Sequence, residues 1–177
     1  MHPPIFSNRP NRPITLPEGE VLWHSRSVAI VAQIIAEVGG AAHVLLNQRG
    51  PACPDHVGLW CLPCGYLDWD ESAPQAVRRE AWEETGLDVL ALEPQAGSLT
   101  QPWQVFSDPQ GDARQNVVLH YGVRFCAAAL PPVTTAHAMP GECTAVGWWP
   151  IERALQTELA FGHQRDIAAF LATLQGR

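Results

Sequence analysis

The amino-acid sequence predicts a mixed α/β domain in which helices pack over a curved sheet. Segments rich in β-branched residues, at 27–38 and 41–48, alternate with segments of helical spacing, at 72–85 and near the C-terminus. The predicted order is three strands, a helix, three strands and helical sequence, which is typical of helices covering a mixed sheet. With 177 residues, the chain is long enough to bury one core and too short for two ordinary domains.

The N-terminal arm carries prolines at positions 3, 4, 10, 13 and 17. Proline removes a backbone donor and fixes φ, so we do not expect a regular helix or a central strand here. We interpret residues 1–26 as a proline-rich extension and residues 27–177 as the folded domain. The arm either packs on the domain or reaches a second subunit, and the sequence leaves both roles open.

The first three strands are predicted at 27–38, 41–48 and 59–67. Gly39 and Gly40, between the first two strands, are a signal for a two-residue hairpin. The third strand runs into an acidic loop that precedes the helix.

The predicted helices have recognisable boundaries. Ser72 can cap the helix at 72–85, Pro74 suits its first turn, and Gly86 ends it. The segment at 162–174 has the apolar spacing of a terminal amphipathic helix.

Between the helices, strands are predicted at 98–106 and 116–127. The turn-rich residues 108–112 between them indicate a long hairpin. A loop at 131–141 then leads to a short strand at 144–149.

Composition limits the classes of function. No apolar run is long enough for a membrane span or a secretory signal, so we expect a cytoplasmic protein without a membrane partner. The net charge of −7 argues against a nucleic-acid polymer as the partner. The five cysteines are an odd number without secreted-protein spacing, so we expect free thiols.

The chemistry of the chain is concentrated on the first helix. Residues three and four apart share a helix face, so Glu80, Glu83 and Glu84 point the same way. Carboxylates gathered in this way repel one another, and hard divalent cations relieve the repulsion. Oxygen ligands favour magnesium, manganese or calcium over zinc, and Arg79 and Glu71 can complete a charge network that fixes the carboxylates.

The spacing around this helix resembles the Nudix hydrolase family. Gly65, five residues, Glu71, seven residues and the sequence REAWEETGL at 79–87 fill every fixed position of the Nudix box. The resemblance implies an α/β/α sandwich with a curved mixed sheet between helices. It also implies a Mg²⁺-dependent hydrolase, with Mn²⁺ as a substitute.

The resemblance further implies roles for single residues. The metal ligands of the family fall on Glu80, Glu83 and Glu84, with Glu71 near the metal and Arg79 orienting a glutamate. The general base of the family is either Glu80 or a glutamate outside the motif, for which Glu142 in the late loop is the candidate.

The implied reaction is attack of water on one phosphorus of a diphosphate. We expect a nucleoside diphosphate linked to another group, such as ADP-ribose or an NADH-like dinucleotide. A nucleoside triphosphate or a dinucleoside polyphosphate is the alternative substrate. The alternatives of another class are a Nudix-like nucleotide sensor without catalysis and an interaction protein that borrows the fold. A homodimer is left open.

Two weaker signals accompany the box. Residues 100–103, TQPW, resemble the opening of a sequence that marks the NADH pyrophosphatase branch, and make Trp103 a candidate for stacking on a substrate ring. Residues 104–108 do not continue that sequence, and the zinc ribbon of the branch is missing. Cys61 and Cys64, with Cys53 nearby, have the spacing of a zinc or redox pair, but we interpret them as structural.

Overall fold

The computed structural model describes residues 12–24, 28–107 and 116–175. The first described element is a hairpin of β1 (Arg12–Thr15) and β2 (Val21–His24), which form a two-stranded antiparallel sheet of their own. Proline is tolerated at a sheet edge, and this explains why Pro13 can lie in β1. The prolines exclude a central strand and not an edge strand, and the sequence carried no prediction of this hairpin.

Eight strands form the main sheet of the described residues. They are β3 (Val28–Val38), β4 (Ala41–Arg49), β5 (Trp60–Cys61), β6 (Cys64–Tyr66), β7 (Ala96–Ser98), β8 (Gln104–Ser107), β9 (Val117–Cys126) and β10 (Cys143–Pro150). The strand order is β10-β4-β3-β9-β7, and β5, β6 and β8 pair with β4, β3 and β9 respectively. The central pair β3 and β9 is parallel and the other pairs are antiparallel, so the sheet is mixed.

Three α-helices in the described part of the chain cover the two faces of this sheet. They are α1 (Ala73–Thr85), α2 (Ile151–Gln156) and α3 (His163–Gln175). Alternate residues of β3 face opposite sides: Ile34 packs in the core with Val77 of α1, and Ile35 packs in the core with Phe170 of α3. The predicted sandwich, with the sheet between helices, is thereby confirmed.

Most predicted elements have their expected positions, and two predicted strands are interrupted. Gly39 and Gly40 have φ of 59° and 82°, as the predicted hairpin requires. The strand predicted at 59–67 is divided, because β5 pairs with β4 and β6 crosses over to pair with β3. The strand predicted at 98–106 likewise consists of β7 and β8, which pair with different parts of β9.

The arm at 1–11 and the turn predicted at 108–112 lie outside the described residues. None of the helices in the part of the chain that the structure describes is both long and apolar enough to cross a membrane.

Candidate metal and catalytic site

Helix α1 is fixed at both ends. At its start, the side-chain oxygen of Gln75 accepts from the backbone N–H of Ser72 at 2.8 Å. At its end, Gly86 adopts the left-handed conformation, with φ of 69°, and its N–H donates to the carbonyl of Trp82. The helix therefore presents its glutamates in a fixed orientation.

Arg79 is the centre of the acidic face. Its Nε and Nη2 donate to the two carboxylate oxygens of Glu71 at 3.0 and 2.7 Å, a bidentate contact. Its Nη1 donates to Glu80 at 2.7 Å and to Glu83 at 3.1 Å, and Nη2 also donates to the carbonyl of Tyr66. One buried guanidinium thus holds three of the predicted site carboxylates together.

The surrounding glutamates raise the pKa of Arg79. Burial alone lowers that pKa, but the hydrogen bond to Glu71 and the charges of Glu80 and Glu71 raise it overall. Arg79 is therefore a permanent cation that orders the acidic residues around it.

Glu84 is buried differently. Its Oε2 accepts from the backbone N–H of Cys64 at 2.9 Å, and none of the contacts described for it involves Arg79. Burial, and then the nearby charges of Cys64 and Glu80, raise its pKa well above the ordinary value. A buried carboxylate without a nearby basic partner gains most from a bound cation.

The pKa values of the other two helix glutamates are also raised. Burial raises the pKa of Glu80 to about 7 although Arg79 lowers it, and Glu142 and Glu83 add to the rise. Burial raises the pKa of Glu83 as well, again opposed by Arg79. The site therefore holds more negative charge than its own basic group can balance.

Gly65 allows the sheet to approach Glu80 closely. A Cβ at this position would lie 1.9 Å from Oε1 of Glu80 and 2.3 Å from its carboxyl carbon. Any larger residue at position 65 would clash with the carboxylate of Glu80, which explains the glycine at the start of the motif.

Glu142 is brought to this site by the loop at 131–142. The backbone N–H of Gly50 donates to the carbonyl of Glu142 at 2.6 Å, and that of Ala52 donates to the carbonyl of Gly141 at 2.9 Å. The charge of Glu142 contributes to the raised pKa values of Glu80, Glu83 and Glu84, although in each case burial is the larger cause. The sequence singled out Glu142, but it gave no signal that Gly50 anchors it.

The donor set suits a hard divalent cation, because it consists of carboxylate oxygens on a rigid helix. Among the described residues, however, no three His, Cys, Asp or Glu side chains are already arranged to hold a metal ion. Arg79 engages three of the carboxylates. In the contacts described, Arg79 holds one oxygen each of Glu80 and Glu83, and a cation would bind through the other oxygen of each carboxylate.

Trp103 lies away from this cluster in its described contacts. Its Nε1 donates to the side-chain oxygen of Gln33 at 2.9 Å, and its ring packs against His120 and Phe170. These residues belong to the α3 side of the sheet. Its stacking on a substrate stays a prediction.

The candidate cysteines and the buried His163 have structural contacts. His163 accepts from the N–H of Leu62 at 3.0 Å, and burial lowers its pKa to about 3. Cys61 is buried beside Asn47, and Cys53 donates to the carbonyl of Glu142. All five cysteines are free thiols, as expected.

The sequence and the fold of this chain are similar to those of known proteins. The model of the NUDIX domain family matches residues 24–170. A mutator-type protein named MutT4 from Mycobacterium tuberculosis (strain CDC 1551 / Oshkosh) is 33% identical over 110 residues, which are 62% of this chain and 40% of that protein. The CTP pyrophosphohydrolase of Escherichia coli (strain K12) is 40% identical over 68 residues, 38% of this chain and 47% of that enzyme. The matched segments thus span less than half of either relative.

Among solved structures, the NUDIX domain of Shewanella oneidensis NrtR complexed with ADP ribose is similar to this chain. It aligns with a TM-score of 0.67 and 25% identity, over 83% of this chain and 87% of that domain. A second structure of NrtR, complexed with a 27mer DNA, aligns with a TM-score of 0.59 and 25% identity, over 81% of this chain and 59% of that chain.

Proposed function

This chain belongs to the Nudix family, whose domain model spans residues 24–170, and we propose that it is a metal-dependent pyrophosphohydrolase. Its substrate is a nucleoside diphosphate linked to a second moiety, and it cleaves the diphosphate linkage. The observation that carries the proposal is the group of glutamates that α1 and Arg79 bring together on one helix face.

The proposed metal ligands are Glu80, Glu83 and Glu84, with Glu71 near the metal. Bound Mg²⁺, or Mn²⁺ in its place, neutralises charge on the phosphate oxygens and makes water a better nucleophile. Arg79 orients the carboxylates of Glu71, Glu80 and Glu83 through the hydrogen bonds described above. An acidic protein can in this way hold an anionic substrate.

We propose that Glu142, in preference to Glu80, is the general base that removes the proton of the attacking water. One oxygen of Glu80 accepts from Arg79 and the other would bind the proposed metal, so fewer lone pairs remain for a proton. Glu142 lies at the end of its loop, where its carboxylate accepts only from the N–H of Met139, at 3.3 Å, in the contacts described. A half-buried carboxylate of this kind is available as a general base.

The similarity to the ADP-ribose-bound NrtR domain supports ADP-ribose or an NADH-like dinucleotide as the favoured substrate. The similarity to a CTP pyrophosphohydrolase supports a nucleoside triphosphate as the alternative substrate. A dinucleoside polyphosphate is the other alternative. The test is a panel of these compounds with Mg²⁺ in oxygen-18 water. Product masses identify both the substrate and the phosphorus that is attacked, and a protein inert to the whole panel contradicts the proposal.

The second candidate is a nucleotide sensor, because the NrtR structures contain ADP ribose in one case and DNA in another. Binding of ADP-ribose with a saturating isotherm, without turnover in Mg²⁺ or Mn²⁺, supports the sensor. An interaction protein that borrows the fold is expected to bind neither ADP-ribose nor the other compounds of the panel.

A cytoplasmic location and a homodimer remain predictions. Sedimentation of the purified chain tests the second of them.

A further inference from the structure

The loop at 131–142 is attached to the C-terminal end of α1. The N–H of Thr134 donates to the carbonyl of Thr85 at 2.8 Å. A Cβ on Gly86 would lie 2.6 Å from the Cγ2 atom of Thr134, so the glycine lets the loop approach the helix end. At the start of the loop, Nε1 of Trp148 donates to the carbonyl of Pro131 at 2.8 Å.

A ring pair joins the middle of the loop to the helix. The imidazole of His137 stacks on the indole of Trp82, with ring centroids 4.5 Å apart and an angle of 16° between the planes. Trp82 directly precedes Glu83 on α1, and it is half-buried, whereas His137 is exposed. Because His137 is exposed and is not packed in the core, the contact that orders its ring is the stacking on the indole.

The far end of the same loop carries Glu142. Its carbonyl accepts from the N–H of Gly50, and its own N–H donates to the carbonyl of Met139 at 3.0 Å. A Cβ on Gly50 would lie 2.2 Å from the carbonyl oxygen of Gly141, so this attachment is also close. Between residues 135 and 141, the ring pair is the contact with α1 that is described for the loop.

We propose that the stacking of His137 on Trp82 positions Glu142 for the reaction. Trp82 and His137 are positioning residues: they do not touch the reacting atoms, but they fix the path of the loop that carries the carboxylate. A displacement of about 1 Å in a catalytic group lowers the rate by up to roughly a hundredfold, so one missing anchor is measurable. This inference rests on the proposed hydrolysis and on Glu142 as the base.

The experiment compares His137→Ala with His137→Phe, which keeps a ring on Trp82, and uses His43→Ala as the control. Each variant is made alone and together with Glu142→Gln. Rates are measured with ADP-ribose, or with the best substrate of the panel, and amide hydrogen exchange is followed in peptides that cover residues 131–142 without added metal. We expect about a tenfold fall in kcat for His137→Ala with little change in KM, and recovery in His137→Phe.

The double variant separates positioning from general damage. If His137 acts through Glu142, then His137→Ala lowers kcat by less than twofold in the Glu142→Gln background. Exchange of the 131–142 peptides is expected to be faster in His137→Ala and unchanged in His137→Phe and His43→Ala.

Each opposite result has its own meaning. Wild-type kcat and wild-type exchange in His137→Ala overturn the positioning role and leave the hydrolase intact, provided that Glu142→Gln is slow. Full activity of Glu142→Gln removes Glu142 as the base, and the positioning role with it, while hydrolysis by the helix glutamates stands. An inert wild-type protein overturns the proposed function and this inference together.

Discussion

Glu84 is the buried glutamate of α1 for which no contact with Arg79 is described; it accepts from the backbone of Cys64 instead. Its burial raises its pKa, so it is held at a cost that a cation can offset. Glu83 precedes Glu84 on the same helix; it is half-buried and accepts a hydrogen bond from Arg79.

We therefore predict that Glu83→Gln and Glu84→Gln each lower kcat at least about a hundredfold in saturating Mg²⁺, because each removes a charge that stabilises the bound cation. Glu158→Gln, at an exposed position outside the site, serves as the control. Circular dichroism and unfolding midpoints check that the fold is intact. Activity near the wild-type level in both site variants contradicts the proposed ligands.

The raised pKa of Glu80, at about 7, gives a second prediction. Near pH 6.5 the metal-free site retains protons that a bound cation must expel, so Mg²⁺ binding weakens as the pH falls below about 7 and releases on the order of one proton. Calorimetry in two buffers of different ionisation enthalpy measures this release. Heats that do not depend on the buffer show that no proton leaves.

Gly65 permits a steric test of the same group. Gly65→Ala places a Cβ against the carboxylate of Glu80, which must move out of its contact with Arg79. We expect kcat to fall at least about tenfold, since the position of a catalytic group is disturbed. Gly147→Ala is the matched control, because a Cβ there meets nothing within 4 Å. Equal activity of the two variants removes the argument for close packing.

At the scale of elements, much of this site could be predicted from the sequence. Helix α1 has local signals at both ends, and the spacing of its glutamates fixes their common face. The partners of Arg79 were predictable in kind, because opposite charges were close in sequence.

Contacts between distant elements could not be predicted in this way. The approach of Gly50 to Glu142 depends on how the 131–142 loop closes over the end of β4, and no local signal encodes it. The division of the strand predicted at 59–67 has the same origin. β6 pairs with the part of β3 that extends beyond its pairing with β4. A periodic pattern in the sequence does not show which neighbour a strand will pair with.

For the whole molecule, the buried histidine His163 links α3 to the β5–β6 segment through Leu62. Its pKa is lowered to about 3 in the folded chain, against an ordinary value of 6.5. Between these values the unfolded chain binds a proton that the folded chain does not, so the free energy of unfolding falls as the pH decreases from 6.5 toward 3. The loss from this one group is about 2 kcal/mol by pH 5.

We predict that His163→Gln, whose amide oxygen can still accept from Leu62, loses less stability between pH 7 and pH 5 than the wild type. Asp166 acts in the opposite direction, because burial raises its pKa to about 6, and comparing the two proteins cancels its effect. Urea unfolding at both pH values measures the difference, with His43→Gln as the control. The same pH slope in His163→Gln and the wild type shows that His163 is not responsible.

The parallel pairing of β3 with β9 has a consequence for synthesis on the ribosome. Val28 pairs with Val117, so the strand made early in the chain waits for its central neighbour until most of the domain has been translated. During that interval a nascent chain can form the β1–β2 and β3–β4 hairpins and the segments that follow them, while the edge of β3 that pairs with β9 stays uncovered. Chaperone contact should therefore be concentrated on chains arrested before residue 117 and should decline once β9 has left the exit tunnel.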